Sequence, residues 1–385
     1  MLDHDPADAG QAAAAGGTVN TAARRWLVAA ASVLAACGEA GVPHTVRWLA
    51  AQQADDGLWH SRTYAMLRRG ESTTAALALA LARLPAPWRQ QAAPMLTKAL
   101  RGLAAAKAPS PATGPDPVDY PCYTAALRLH TLALLQPEGW RDDAAALLTF
   151  LREHQLVTTN GWPREAPEFG GFGLGDRRPV FPLGGELVGL SVTTTVLEAV
   201  VAAARAGIVV EAAVLAEARI FVERCQRFGA GGGAGGDGGF CFAPTTDWRA
   251  TKAGFDAGNV PRSYGTATAD GARALLALGD DAASPRVAAA LRWLAKRGAQ
   301  FVPGLDDDVG RVMEPSLRLY WFHSLAGLVR AVPEHPAAPG WREMITRGVA
   351  AARRADGSYC GFGVVMKEDD PLVATALALG TFADG

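Results

Sequence analysis

The stretch that decides the fold runs from Trp48 to Leu84, WLAAQQADDGLWHSRTYAMLRRGESTTAALALALARL. It opens as a helix, breaks at the pattern Gln53, Asp56, Gly57, Trp59, and resumes at Ser72-Thr73-Thr74 as an Ala/Leu helix nearly free of charge. The same order returns along the chain. Gln155 precedes Asn160-Gly161-Trp162, and Thr193-Thr194-Thr195 begins the next helix. Gln226 precedes Asp237-Gly238-Gly239-Phe240, followed by Gly265-Thr266-Ala267-Thr268. Arg353 stands where Gln would, before Asp356-Gly357-Ser358-Tyr359 and Leu372-Val373-Ala374-Thr375. Two further segments, Ala92 to Leu135 and Val287 to Val332, keep the helix pair but lose the Gln and the Gly-aromatic break. A unit recurring at such a period fixes the architecture before any single residue is interpreted.

The first helix of each unit mixes apolar and charged residues, as in Val46-Arg-Trp-Leu-Ala and Leu291-Arg-Trp-Leu-Ala, which suits an outer helix with one solvated face. The second, as in Ala75-Ala-Leu-Ala-Leu-Ala, suits an inner helix surrounded by protein. No single pair buries its own apolar face, whereas a ring of them does. The expected fold is therefore all-α, an α/α toroid of about six helical hairpins.

Composition agrees. The chain has 385 residues, 49% of them hydrophobic, enough for a large core, and 43 Gly and 24 Pro to supply its loops. A formal net charge of -1 gives no electrostatic footprint for nucleic acid. The five cysteines, Cys37, Cys122, Cys225, Cys241 and Cys360, include no Cys-x-x-Cys, which argues against a disulfide framework and a zinc ribbon. Residues 1–19 are Ala/Gly-rich and expected to be disordered. Residues 20–42 carry Arg24-Arg25, a short apolar run and Leu34-Ala35-Ala36-Cys37. They suit either an amphipathic helix capped by Asn20 or Thr21, or a twin-arginine signal with a bacterial lipoprotein cleavage box. The run is too short to span a bilayer. The first reading makes the chain cytoplasmic; the second makes it an exported lipoprotein. Residues 43–385 form the repeat domain.

The breaks and helix starts resemble the prenyltransferase and squalene oxidase repeat family, which includes squalene-hopene cyclases and protein prenyltransferase β subunits. The resemblance covers roughly Val42 to Phe382, and the spacing of Gln53, Asp56, Gly57 and Trp59 is similar to the family's Gln-Trp motif. It implies a ligand cavity in the middle of the ring, by the inner-helix ends. The polar residues there are Tyr64, Glu71, Cys122, Tyr123, Glu186, Arg262, Tyr264, Asp270, Arg318, Tyr320, Trp321, His323, Glu368, Asp369 and Asp370.

The last three are the sharpest. Class II terpenoid cyclases protonate an alkene or epoxide with one acid of a crowded carboxyl group, whose members cannot all ionise together in low dielectric. Their Asp-x-Asp-Asp motif is matched here by Lys367-Glu368-Asp369-Asp370, with Lys in place of the first acid. The alignment implies Asp369 as proton donor, tuned by Glu368, Asp370 and His323; a neighbouring ammonium would favour the ionised, inactive form. The competing reading is structural: Asp370-Pro371 is a common helix start, and Glu314-Pro315-Ser316 has the same form.

Asp270 lies one turn inside an apolar helix and needs a partner, for which Arg262 or His323 is in question. Asp306-Asp307-Asp308 suits a Mg²⁺-bridged diphosphate or, more simply, a solvated turn. Tyr64, Tyr123, Tyr264, Tyr320 and Trp321 suit a path for cationic intermediates or ordinary core packing. Substrate contacts are therefore expected from Tyr123, Arg262, Tyr264, Asp270, Tyr320 and Trp321.

Other chemistries fit poorly. Protein prenyltransferase zinc ligands put Asp and Cys two apart, whereas Asp237 and Cys241 are four apart and His323 is distant. Ala36-Cys37-Gly38-Glu39-Ala40 lacks the Gln that closes a complement-type thioester. Gly229 to Gly239 lacks the end of a P-loop. No Ser-His-Asp set is legible, and none of the seven histidines forms His-x-x-x-His. The resemblance implies a terpenoid cyclase-like isomerase with no cofactor and no metal, taking a hydrophobic isoprenoid and touching a membrane peripherally. The alternative is a non-catalytic ring that binds a hydrophobic ligand or a protein, since a single ring is shorter than the two-domain cyclases.

Overall fold

The computed structural model describes residues 41–106, 120–175, 180–182, 187–229, 236–297 and 301–383. The expectations placed on Arg24-Arg25, Cys37 and Glu186, and on most of the glycine stretch, lie outside these residues. One compact unit begins at Gly41.

Six outer helices alternate with six inner ones. The outer set is α1 Val42–Gln52, α3 Ala86–Ala105, α5 Trp140–His154, α7 Ala212–Cys225, α9 Pro285–Lys296 and α12 Ala338–Ala351. The inner set is α2 Glu71–Ala82, α4 Pro121–Leu135, α6 Leu190–Arg205, α8 Gly265–Ala277, α11 Arg318–Ala331 and α13 Pro371–Thr381. A short α10, Asp308–Met313, lies in the connection before α11. Each inner helix packs on the next, and α13 returns to α2, so the all-α ring of six hairpins closes. Outer helices bury one face, as α9 does with Val287, Ala290, Leu291 and Leu294, while α2 buries nearly every side chain.

The repeated Gln is a tether. Nε2 of Gln53 donates to the carbonyls of Gly57 (2.9 Å) and of Met95 on α3 (3.0 Å). Gln226 does the same to Gly238 (3.0 Å) and to Arg286 on α9 (2.9 Å). Gln155 binds Gly170 (3.2 Å) and Val214 on α7 (3.0 Å). One amide thus holds its own break and the following outer helix together. The aromatic residue of each break is fixed from the other side. Its backbone N–H donates to a threonine hydroxyl on the next inner helix: Trp59 to Thr74 (2.8 Å), Phe172 to Thr193 (3.3 Å), Phe240 to Thr268 (3.0 Å) and Tyr359 to Thr375 (3.1 Å).

The glycine is required by close approach. At Gly170, with φ +90°, a Cβ would sit 1.9 Å from the Glu217 carbonyl oxygen of α7. This corrects the register of the second copy. The counterpart of Gly57 and Trp59 is Gly170 and Phe172, paired with Gln155 across a short antiparallel bridge, and not Gly161 and Trp162. The Asn160-Gly161-Trp162 turn belongs to an insertion between Gln155 and its true partner, where Asn160 bonds the Gln155 carbonyl.

At the last break no Gln is present, and the ring's own beginning replaces it. The Thr45 hydroxyl on α1 donates to the Gly357 carbonyl at 2.7 Å, across 312 residues of sequence. Thr45→Val keeps the shape and removes this bond, so it is expected to lower stability by about 1–3 kcal/mol, the cost of leaving a buried polar group unpaired. Gln226→Ala, which frees two carbonyls, is expected to cost at least as much. Urea denaturation of both variants beside the parent, with unchanged m-values, checks this.

Candidate functional site

The inner helices are buried on most sides, yet five of them keep a half-accessible stripe. It comprises Ser72 and Ala76 on α2, Tyr123 and Leu127 on α4, and Thr195 and Glu198 on α6. On α11 it is Tyr320, His323, Gly327 and Arg330; on α13 it is Val373, Leu377 and Thr381. Spacings of three or four residues place each stripe on one helix face. Because these helices form the inside of a ring, the accessible faces meet in a central lumen.

Every outer-to-inner connection lies at the end where inner helices start, which we call the rim. Lys367 to Asp370 are there. The Tyr64 hydroxyl donates to Asp369 Oδ1 at 2.5 Å, and burial together with that carboxylate pushes the phenol up to about 12. Lys367 does not form an ion pair with Asp369 among the described residues; its ammonium lies over the rings of Tyr64 (5.4 Å) and Tyr120 (5.5 Å). Asp370 caps α13, accepting from the N–H groups of Leu372 (2.8 Å) and Val373 (3.3 Å) and from Ser61 (2.5 Å). Glu368 is fully buried and accepts the N–H groups of Leu319 (3.0 Å) and Tyr320 (2.8 Å) at the start of α11. Burial outweighs those two donors and raises its carboxyl to about 7.

Deeper in the ring, Asp270 is 1% exposed. Its partners are Ser324 Oγ (2.7 Å), the Tyr320 hydroxyl (2.8 Å) and Arg273 (3.2 Å), so neither Arg262 nor His323 pairs with it. Burial raises its carboxyl against the pull of Arg273. Arg273 also forks onto Glu198 of the adjacent α6 at 2.9 and 2.7 Å, where Gly327 of α11 leaves room: a Cβ there would lie 2.6 Å from the guanidinium Nε. Burial opposes charge on Glu198, but Arg273 and Arg83 hold its carboxyl down to about 2. Its side chain is 22% exposed although protein surrounds it, as expected of a group that water reaches only through the lumen.

The inner-helix C-termini form the floor. Arg83 ends α2 and hydrogen-bonds Nε2 of His130 on α4 at 2.7 Å; Arg330 on α11 donates to the Gly380 carbonyl of α13 at 3.2 Å. Burial, aided by nearby guanidiniums, drives His130 and His323 down to about 3, so both are neutral. Burial also lowers Arg83, and lowers Arg330 to about 9. A cation gains up to about 2 kcal/mol at a helix C-terminus, less than the several kcal/mol needed to desolvate it.

The sequence-derived candidates therefore separate. Asp369 and Tyr64 meet at the rim, whereas Tyr123 stands edge to face with Tyr120 at 6.5 Å and neighbours Ser191, Tyr320 and Asp270. Tyr320, Asp270 and His323 line or support the lumen, but His323 neighbours the floor arginines instead of the Glu368 and Asp370 carboxylates. Trp321 (1% exposed) and Tyr264 (2%) are packed in the core, and Trp321 Nε1 has no hydrogen-bond acceptor among the described residues. Arg262 is tied to Asp307 and to Asp306 (3.2 Å), with Asp307 also capping α10. Among the described residues no cluster of three His, Cys, Asp or Glu side chains can hold a metal ion.

Sequence reasoning overlooked Arg83, His130, Glu198, Arg273 and Arg330, whose only signal was charge within inner helices otherwise almost free of it. It also overlooked Lys252, which lies over Phe242 (3.9 Å) and near Tyr264 (6.0 Å), with burial lowering it to about 8.

The rim is apolar outside. Of twelve exposed large hydrophobic residues among those described, ten lie in outer-to-inner connections, including Trp248, Phe301, Phe362 and Val364. No helix among the described residues is long and apolar enough to cross a membrane.

No protein-family model matches the chain, and no curated protein does. Solved structures do. The type II terpene cyclase MstE from Scytonema, in complex with geranylgeranyl dihydroxybenzoate, matches with TM-score 0.58 and 14% identity over 91% of this chain and 96% of that one. Cellobiose 2-epimerase from Bacillus thermoamylovorans matches with TM-score 0.54 and 12% identity over 88% and 96%. A protein from Actinoplanes matches with TM-score 0.51 and 19% identity over 89% and 97%. The chain has the squalene-hopene cyclase-like α/α toroid fold; at these identities the likeness shows the fold alone.

Glu368 yields a pH test. Its folded value lies above the unfolded 4.5, so the folded state binds more protons between about 4.5 and 7. Its contribution is present in full below the unfolded value and is lost as pH rises through the folded one. Glu368→Gln is expected to melt like the parent at about pH 4 and roughly 2–4 °C higher at about pH 8, measured by thermal unfolding across that range.

Proposed function

We propose that this chain is a terpenoid cyclase-like isomerase that takes an isoprenoid into the lumen and starts its cyclisation with Asp369. The observation that carries this reading is the half-accessible stripe, which is aromatic and aliphatic toward the rim (Tyr123, Leu127, Tyr320, Val373, Leu377) and leads up to the Asp369–Tyr64 pair. Tyr64 occupies Oδ1, which leaves Oδ2 to carry the proton. In the reaction the proton passes to a terminal alkene carbon, the alkene electrons form the new C–H bond, and the next alkene attacks the resulting cation. Loss of a proton from the last cation restores the formula, so the change is an isomerisation. The faces of Tyr123 and Tyr320 stabilise the passing charge. Asp270 and Glu368 support the lumen wall and the start of α11.

A second reading, a ring that binds a hydrophobic ligand without transforming it, is favoured by one observation: Asp370 and Glu368 are both engaged as helix caps. The same ring in a cellobiose 2-epimerase is a reminder that the fold does not choose the chemistry. Under either reading the part of the ligand that lies along the stripe is apolar, and the exposed hydrophobic rim suits peripheral docking on a membrane from the cytoplasm.

Incubation with linear isoprenoids and their diphosphates, followed by mass spectrometry, is expected to give a cyclised product that Asp369→Asn abolishes by at least about 100-fold, the scale of general-acid catalysis. Asp270→Asn separates the two carboxyls: full loss there with activity retained in Asp369→Asn would move the acid to Asp270. Ligand binding with no product from any substrate would leave the binding ring. For the membrane contact, Trp248→Asp/Phe362→Asp is expected to lose co-sedimentation with lipid vesicles while keeping turnover of detergent-dispersed substrate.

A further inference from the structure

Five inner helices each send one ionisable side chain to the lumen floor: Arg83, His130, Glu198, Arg273 and Arg330. Their charges do not balance. Arg273 spans two carboxylates, Glu198 and Asp270, and satisfies both. Arg83 and Arg330 touch no carboxylate among the described residues; Arg83 ends α2, and Arg330 bonds the last turn of α13, the helix that packs on α2. Arg83 and Arg273 repel Arg330, and Glu198 offsets them only in part. His130 and His323 are neutral and offset nothing. Each guanidinium carries five N–H donors, of which the floor uses one on Arg83 and one on Arg330. Both side chains are half-buried, whereas the paired Arg273 is buried.

We propose that Arg83 and Arg330 form an oxyanion site at the lumen floor that seats the phosphate or carboxylate end of the lumen ligand. Forked guanidiniums suit the paired oxygens of either group. On α11 the rise from Tyr320 to Arg330 is about 15 Å, room for an extended prenyl chain above the floor. The ligand then lies with its charged end between Arg83 and Arg330 and its terminal alkene toward Asp369. This deepens the reading of the lumen as an isoprenoid site by naming an anionic, amphiphilic ligand.

The test uses the full chain, its Arg83→Gln/Arg330→Gln variant, and Arg330→Lys, which keeps charge but loses the fork. Geranylgeranyl diphosphate, geranylgeranoic acid and geranylgeraniol are titrated by calorimetry, and inorganic pyrophosphate by thermal shift. The parent is expected to bind the diphosphate or the acid at least 10-fold tighter than the alcohol, and whichever is tighter identifies the oxyanion. The double variant is expected to lose that preference. Arg330→Lys is expected to retain part of the preference. Equal affinity for the three lipids, or a double variant that keeps the preference, would overturn the proposal. Pyrophosphate raising the melting temperature of the parent alone, with no lipid bound, would leave the oxyanion site standing and remove the isoprenoid reading. Alcohol binding with no response to pyrophosphate would do the reverse.

Discussion

The ring depends on a side-chain amide that satisfies two backbone carbonyls belonging to different hairpins. At Gln53, Gln155 and Gln226 one NH₂ group bonds the glycine of its own break and the outer helix that follows. Irregular backbone packed against protein must find partners for its polar groups, and here the same bonds that satisfy the turn dock the next repeat. The threonine that receives the aromatic N–H does the corresponding work toward the inner layer. With the breaks held from both sides, the inner helices are placed closely enough that one stripe of each faces a shared space.

Much of this was legible in the sequence. The Gln, Gly and Thr positions stood out because the copies that keep the break need the same left-handed turn and the same hydroxyl, and three of them the same amide donor. The second copy was misread because an insertion supplies its own Gly161-Trp162, and local spacing cannot tell a turn from the break it imitates. The site was less legible for a different reason. Which face of an inner helix points inward depends on how six helices are rotated about one another, so Trp321, buried in the core, and Tyr320, one residue earlier in the lumen, look alike on the page. Arg262 is a candidate partner for Asp270 in the sequence, yet Arg273, three residues on along the same helix, takes that place, while Arg262 is held by Asp306 and Asp307.

The lumen is chemically polarised. Its rim end is aromatic and acidic, with Lys367 over tyrosine rings, while its floor carries more guanidinium groups than carboxylates. Helix direction contributes to both ends: six inner N-termini favour carboxylates at the rim, and six C-termini favour cations at the floor. A molecule with two unlike ends therefore meets a preferred orientation before any specific contact is made.

The junction between Thr45 and Gly357 bears on how the chain reaches this state. Hairpins made early in synthesis can stack on one another as a solenoid segment does, each new pair docking on the last. The lumen, however, has no sixth wall until α13 has left the ribosome and met α1 and α2. Until then Glu198, Arg273 and Arg330 remain solvated on an open curved surface, and their desolvation is deferred to a single late event. Ring closure by the sixth hairpin thus couples that hairpin's synthesis to creation of the binding space, and a nascent chain lacking it is a stack of helices with no lumen.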